Sequence, residues 1–422
     1  MRARSLPSVA TAALALLVSA AAFAADRRAI PVPPDLLTQA ELTGFRKTET
    51  YDEVIAFLTR LERLSPYLHV SFIGPSEQGR RIPVVVASKE KLFDPAERFK
   101  SPKPVVLVLN SIHAGEVDGT DATLILLRDI ALTNRLGLLD GVTLVTVVVY
   151  NVDGYTRVSP YNRPNQNGPD EMGYRANARG LDLNRDFVKA DAKETRALLA
   201  LADAWKPDLF VDDHVTDGAD FQATLTVSYA NEPVTPKPLR DWLKAVVPKA
   251  LSDVRDAGFV TSDAYVAFRD PGDPMKGFDS SVFSPRYSTG YFPVRNVPSI
   301  LVETHALKSF GDRVRSNMVF LRALLDHGVT DERRRQTFLL EIGWLERQQR
   351  HDVVEKPGGF LGLPRPPRPH HRRHIADERH AGPAALQSLL DSAAKAARVD
   401  RDDRRRTKCF DPCGRLSDSP QY

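Results

Sequence analysis

The sequence predicts an α/β domain: a mixed, mostly parallel sheet of about eight strands, sandwiched by helices. Three observations predict it. Apolar, β-branched runs recur at residues 105–109, 142–150, 208–211 and 299–302, with the continuous hydrophobicity of strands buried on both faces. Helix-patterned stretches at 122–132 and 193–205 separate some of these runs, and strands alternating with helices form sheets covered on both sides. With 422 residues, 42% of them hydrophobic, the chain is long enough for one large core or two smaller ones.

Residues 1–24 read as an export signal. Arg2 and Arg4 supply a positive end, residues 10–18 an apolar run, and Ala22-Phe23-Ala24 a small-x-small cleavage site. The run is about half of the ~20 residues that a membrane span takes. The expectation is a secreted or periplasmic mature protein with no stable membrane insertion after signal cleavage. Residues 25–45 are a polar lead-in carrying Pro31, Pro33 and Pro34. The main domain is placed at 46–350. Within it, Val54, Phe57, Leu58 and Leu61 share one face of a helix over 50–64. Short β-like runs follow at 68–73 and 82–87, with Gly79 between them.

After about Asp352 the periodicity stops. Gly358-Gly359, a series of prolines and the run from His370 to His374 mark 351–422 as a basic, proline-rich tail expected to be poorly ordered. Cys409 and Cys413 lie in this tail and would close only a tiny loop. The main domain has no cysteine, so a metal site there must use histidine and carboxylate. The 58 basic residues nearly balance the 54 acidic ones, which does not argue for nucleic acid as the main partner, and none is expected.

Three of the strand-like runs end in groups that bind metals or handle protons. Asn110-Ser111-Ile112-His113-Ala114-Gly115-Glu116 follows the run at 105–109, and a spacing of three is about one helical turn, so His113 and Glu116 can aim at one point. His214 ends the run at 208–211, with Asp212 or Asp213 available to orient its ring. Glu303 ends the run at 299–302, and His305 just beyond it competes with His214, the preferred candidate, as a ligand. In open α/β sheets, sites gather at the carboxyl ends of strands. A His/Glu/His set leaves zinc an open fourth position for water, and a carboxylate outside the set can take that water's proton. A fourth segment, 177–187, is rich in planar donors. Arg185 could grip a carboxylate with help from Asn184, or Asp182 and Asp186 could hold it in a structural network.

In the order His113-x-x-Glu116, Gly180-Leu181-Asp182-Leu183-Asn184-Arg185, His214, Glu303, the chain resembles the zinc metallocarboxypeptidases of the carboxypeptidase A/B type, over roughly residues 45 to 330. The resemblance implies one Zn2+ held by His113, Glu116 and His214, with Glu303 activating water. It implies Asn184 and Arg185 as the grip on a peptide's terminal carboxylate. It also implies an upstream arginine, Arg175 or Arg179, that stabilises the oxyanion, and a tyrosine, Tyr287 or Tyr291, that caps the substrate. Asp186 stands where many digestive members carry asparagine, which places a negative charge next to the grip and opens the choice between exo- and endopeptidase action.

The expected function is therefore an exported metallocarboxypeptidase that acts as a monomer on peptides, cell-wall peptides among the candidates. Two alternatives are an N-acyl amino acid deacylase of the succinylglutamate desuccinylase or aspartoacylase type, and a non-catalytic peptide-binding protein on the same fold.

Overall fold

The computed structural model describes residues 32–132, 135–217, 220–229, 235–264, 266–270, 273–280 and 283–329. The signal reading at 1–24, the tail reading at 351–422 and both cysteines lie outside the described residues.

The strands are β1 (Leu68–Ile73), β2 (Ile82–Ala87), β3 (Val105–Asn110), β4 (Thr143–Val147), β5 (Leu209–Val215), β6 (Leu225–Tyr229), β7 (Thr261–Ser262), β8 (Val266–Phe268), β9 (Phe278–Ser280) and β10 (Ser299–Thr304). Eight of them form one sheet in the order β1-β2-β4-β3-β5-β10-β6-β7, and β8 and β9 form a separate ribbon. The central strands β4, β3, β5 and β10 are parallel to one another. Every residue in these four strands is buried, as their unbroken apolar runs require. At the flanks, β1 pairs antiparallel with β2, β2 with β4, and β6 with β10.

Helices cover both faces. They are α1 (Tyr51–Leu64), α2 (Asp118–Leu132), α3 (Lys193–Trp205), α4 (Lys237–Asp256), α5 (Ser288–Val294) and α6 (Phe310–Val329). Thr50 starts α1 through a reciprocal capping box with Glu53, and Val54, Phe57, Leu58 and Leu61 form the buried stripe. On one face, Leu126 of α2, Leu321 and Leu324 of α6 and Val106, Val108 and Leu144 of the sheet line one small apolar cavity. On the other, Phe292 of α5 stacks on Phe210 of β5 with ring centroids 3.9 Å apart.

The structure departs from the expected elements in places. Strand β4 stops at Val147 although the apolar run continues, because Tyr150 and Asn151 turn to donate their amides to the carbonyls of Asn110 and Ser111. Strand β6 and helices α4 and α6 are additions to the expected elements, although α4 carries a helical period in Leu239, Leu243, Val247, Leu251 and Val254. Residues of the proline-bearing lead-in pack on the domain: Leu36 and Ala40 are buried, and the Phe45 ring meets Phe310 edge-on.

A buried ion pair fastens α6 beneath the carboxyl end of the sheet. Arg313 is fully buried. Its Nε donates to Asp118 Oδ2 at 2.7 Å, and its remaining N–H groups reach the carbonyls of Asn167, Gly168, Ala306 and Lys308. Thr304, at the end of β10, donates to the same Asp118 oxygen. One guanidinium thus ties α2, α6, the loop at 167–168 and the chain leaving β10. Removing one partner of such a pair leaves a buried charge without compensation. Arg313→Met is expected to lower the unfolding free energy by about 3–5 kcal/mol in urea titrations, with part of the loss recovered when Asp118→Asn is added. A loss below about 1 kcal/mol would contradict the clamp.

Candidate active site

The carboxyl ends of β3, β5 and β10 lie side by side and deliver the predicted residues to one place. Ser111, just past β3, adopts a left-handed conformation with φ 54°, an uncommon state for a non-glycine residue and one that clusters at functional sites. Its hydroxyl lies 2.8 Å from Thr120 Oγ1, which holds the bend. The chain then makes a single turn in which the Glu116 amide donates to the His113 carbonyl at 2.9 Å, so the two side chains share a face. Gly115 lets this turn lie against its neighbours: a Cβ there would sit 2.6 Å from the Gly173 carbonyl oxygen and 2.7 Å from Arg163 Cδ. In the parallel register of β10 with β5, Glu303 is directly opposite His214.

His113, Glu116 and His214 are all buried, and each offers one ligand atom within 4.8 Å of the others. Both Nδ1 atoms point at the Glu116 carboxylate, His113 at 2.9 Å from Oε1 and His214 at 2.8 Å from Oε2. The other ring nitrogens face carboxylates: His113 Nε2 lies 3.0 Å from Asp182 Oδ1, and His214 Nε2 lies 3.0 Å from Asp212 Oδ2. These carboxylates fix the proton on Nε2 and leave Nδ1 for a metal, as outer partners of metal-bound imidazoles do. The donor set of two imidazoles and one carboxylate, with carboxylates behind both rings, fits zinc.

Asp212 therefore has the orienting place, supported by Ser288, whose hydroxyl donates to its Oδ2. Asp213 faces the opposite way, against α2, where a Cβ on Gly119 would sit 2.5 Å from its own Cβ. Burial, with Asp212 adding repulsion, raises the Asp213 carboxyl to about 8. His305 is not part of the ligand group; its ring lies edge-on to Phe221 at 4.8 Å.

The structure separates the paired candidates. Arg175 Nη1 is 3.5 Å from Glu116 Oε1, and its Nη2 is 3.0 Å from Asp182. Asn151, just beyond β4, donates to the Arg175 carbonyl and sets its position. Arg179 points elsewhere, donating to the Asp191 carbonyl and pairing with Glu77 on an exposed surface. Tyr287 stacks beneath Arg185, whose guanidinium carbon lies 4.4 Å from the ring centroid. Tyr291 instead packs against Phe187 and accepts from Arg295.

Asn184 is buried rather than open: its Oδ1 accepts from the Ser288 amide at 2.9 Å, and its Nδ2 is 3.2 Å from His214 Nε2. Asp186 is turned from the grip; its carboxylate accepts from the amides of Asp191 and Ala192 at the start of α3. Its charge is spent on a helix N-terminus.

Arg163 carried no sequence signal. It sits in a turn-rich segment with no apolar period to anchor it, yet it donates to Glu116 Oε1 at 2.8 Å from a buried position.

Burial alone would raise Glu116, but His113 and Arg163 outweigh it and hold its carboxyl well below the ordinary range. Burial likewise works against a charged His214, and Asp212 and Glu116 overcome it, so the ring's pKa lies well above the ordinary value. Among the described residues, no cation pairs with Glu303. Burial raises it to about 8, with Glu116 and Asp217 adding to the rise and His214 and Arg163 working against it.

His305 is lowered from the ordinary 6.5 to about 4, by burial first and Lys308 second. The unfolded chain therefore takes up a proton that the folded chain refuses across that window. Stability should fall as pH drops from 6.5 towards 4, by up to roughly 3 kcal/mol. Urea titrations of wild type and His305→Gln check this: the variant should lose that much less over the window, and parallel pH profiles would contradict it.

Residues 54–234 match the zinc carboxypeptidase family model. Carboxypeptidase 2 of Trichophyton equinum is 26% identical over 191 residues, which is 44% of this chain and 32% of that protein. Carboxypeptidase 2 of Trichophyton rubrum is 27% identical over 171 residues, 39% of this chain and 28% of that protein. The matches thus span about a third of these relatives' length. In fold, the chain is similar to a metallo-carboxypeptidase from Burkholderia cenocepacia, with a TM-score of 0.50 and 18% identity over 66% of this chain and 69% of that one. Over residues 54–234, which hold His113, Glu116 and His214, the chain is thus similar to the zinc carboxypeptidases.

Proposed function

We propose that this chain is an exported zinc metallocarboxypeptidase that removes C-terminal residues from peptides, with 46–350 as its catalytic domain. The observation that carries the reading is the convergence of His113, Glu116 and His214 within 4.8 Å, with Glu303 opposite His214 on the next strand. Export rests on the signal pattern of residues 1–24. An extracytoplasmic location makes cell-wall peptides available as substrates, and we read the working unit as a monomer.

Zinc at this site supplies a Lewis acid for the scissile carbonyl and lowers the pKa of water towards ~7. Glu303 takes the proton of the attacking water, whose oxygen bonds to the carbonyl carbon, and passes that proton to the amine as the C–N bond breaks. Its buried setting suits both halves of this exchange, because it favours the protonated carboxyl once the proton is taken. With a dication held by His113, Glu116 and His214, the value of about 8 would fall and leave Glu303 ionised as the base. Arg175 donates to the carbonyl oxygen as negative charge grows there. Arg185 sits over the Tyr287 ring with Nη1 donating to the Asn184 carbonyl, which leaves the rest of its fork to grip a terminal carboxylate. With Asp186 turned into the start of α3, its charge does not oppose that grip, and the carboxylate near Arg185 is that of Asp182, 3.9 Å from Nη1; this favours removal of terminal residues over internal cleavage. Asn184 supports the grip from behind, its Oδ1 accepting from the Ser288 amide.

The test is incubation of the purified mature protein with a mixed peptide library. Stepwise, zinc-dependent release of C-terminal residues is expected, and Glu303→Gln should retain zinc while turnover falls by about 10²–10⁴-fold. Full turnover in that variant would remove Glu303 from the chemistry. Release of acyl groups from N-acyl amino acids in place of peptide trimming would replace the peptidase reading with the deacylase one. Arg185→Ala should slow cleavage of peptides with a free terminal carboxylate far more than of the same peptides as C-terminal amides, and an equal loss on both would contradict the grip.

A further inference from the structure

Arg163 touches both segments that carry the metal-binding side chains. Nη1 donates to Glu116 Oε1 at 2.8 Å. Nη2 donates to the carbonyls of Val215 and Thr216, the residues immediately after His214, at 3.0 and 3.1 Å. Nε donates to Gln166 Oε1 at 2.6 Å, and Gln166 Nε2 returns to the carbonyls of Gly115 and Gly168 at 3.1 Å each. The aliphatic part of Arg163 fills the space that a Cβ on Gly115 would need. The side chain is buried, and its third contact on Nη2, to Asp217, is longer at 3.4 Å.

We infer that Arg163 is a positioning residue: it sets the distance and angle between the His113–Glu116 turn and the end of β5, and so builds the zinc site. The inference rests on the zinc reading above. Only a planar fork spans these acceptors at once, since a lysine ammonium is a point donor on a flexible stem. By holding Oε1, Arg163 also fixes which oxygen of Glu116 stays turned towards His214.

Charge and position make opposite predictions here. A guanidinium beside a ligand carboxylate repels a dication, so electrostatics alone predicts tighter zinc when Arg163 is removed. Positioning predicts weaker zinc, by about 10–100-fold as for other groups that hold metal ligands in place. The experiment compares wild type, Arg163→Met and Arg163→Lys. Zinc dissociation constants are measured by competition with a chromophoric chelator, absorption spectra are taken with cobalt(II) in place of zinc, and the melting of the metal-free proteins reports folding.

Both variants are expected to bind zinc about 10–100-fold more weakly and to show shifted cobalt bands, with lysine failing to restore either. A dissociation constant within twofold of wild type, or a tighter one, overturns the inference, as does full rescue by lysine. Should Arg163→Met fail to fold, Gln166→Leu gives the same readout with the arginine charge intact. Weaker zinc there supports the inference, and unchanged zinc overturns it. A folded wild type that takes up no zinc is a separate result, because it removes the metal reading itself.

Discussion

The structure depends on one buried carboxylate being fully satisfied. Glu116 sits below the surface where an isolated charge would be prohibitively unfavourable, and its two oxygens face His113, His214, Arg163 and the Val215 amide. These partners come from the turn after β3, the end of β5 and the loop at 159–173, so satisfying Glu116 brings three distant segments to one point. The parallel register then places Glu303 next to this cluster. Charge is arranged in alternation outward: Glu116, the two imidazoles, then Asp182 and Asp212 behind them.

Rigidity at the site comes from beneath it. Ser111 holds a left-handed bend, Gly115 lets the turn press on Gly173 and Arg163, and Arg313 fastens the chain leaving β10 to Asp118 at the start of α2. The open side carries the groups suited to meeting a substrate. Arg175 and Arg185 are partly exposed there, and Tyr287 supports Arg185 by stacking. The polypeptide thus separates a locked, ligand-bearing floor from a more accessible rim of cations.

The central strands and the residues at their ends were legible in the sequence because burial on both faces leaves unbroken apolar runs and because His-x-x-Glu has a turn's spacing. What lay beyond reach was long-range polar geometry. Nothing in the pattern around Arg163 or Arg313 announces a guanidinium shared between segments dozens of residues apart. That Arg175 rather than Arg179 lies beside Glu116, and Tyr287 rather than Tyr291 beneath Arg185, depends on which way a loop and a short helix turn, and local periodicity does not encode that. Asp186 carried an expected negative charge next to Arg185, but two backbone amides at the start of α3 claim its carboxylate. Helix α6 escaped notice because polar residues interrupt its apolar face, where Arg313 is buried; α4 was legible, with Leu239, Leu243, Val247, Leu251 and Val254 on one face, although the expected elements omit it.

The central claim is that Glu116 and the Nδ1 atoms of His113 and His214 together form one zinc site. Anomalous diffraction at the zinc edge from crystals of the zinc-loaded protein tests it most directly. The account predicts a single strong peak about 2.0–2.2 Å from both Nδ1 atoms and from a Glu116 oxygen, with Asp182 and Asp212 still bonded to the two Nε2 atoms. A peak bound through either Nε2, or one that omits Glu116, would contradict it.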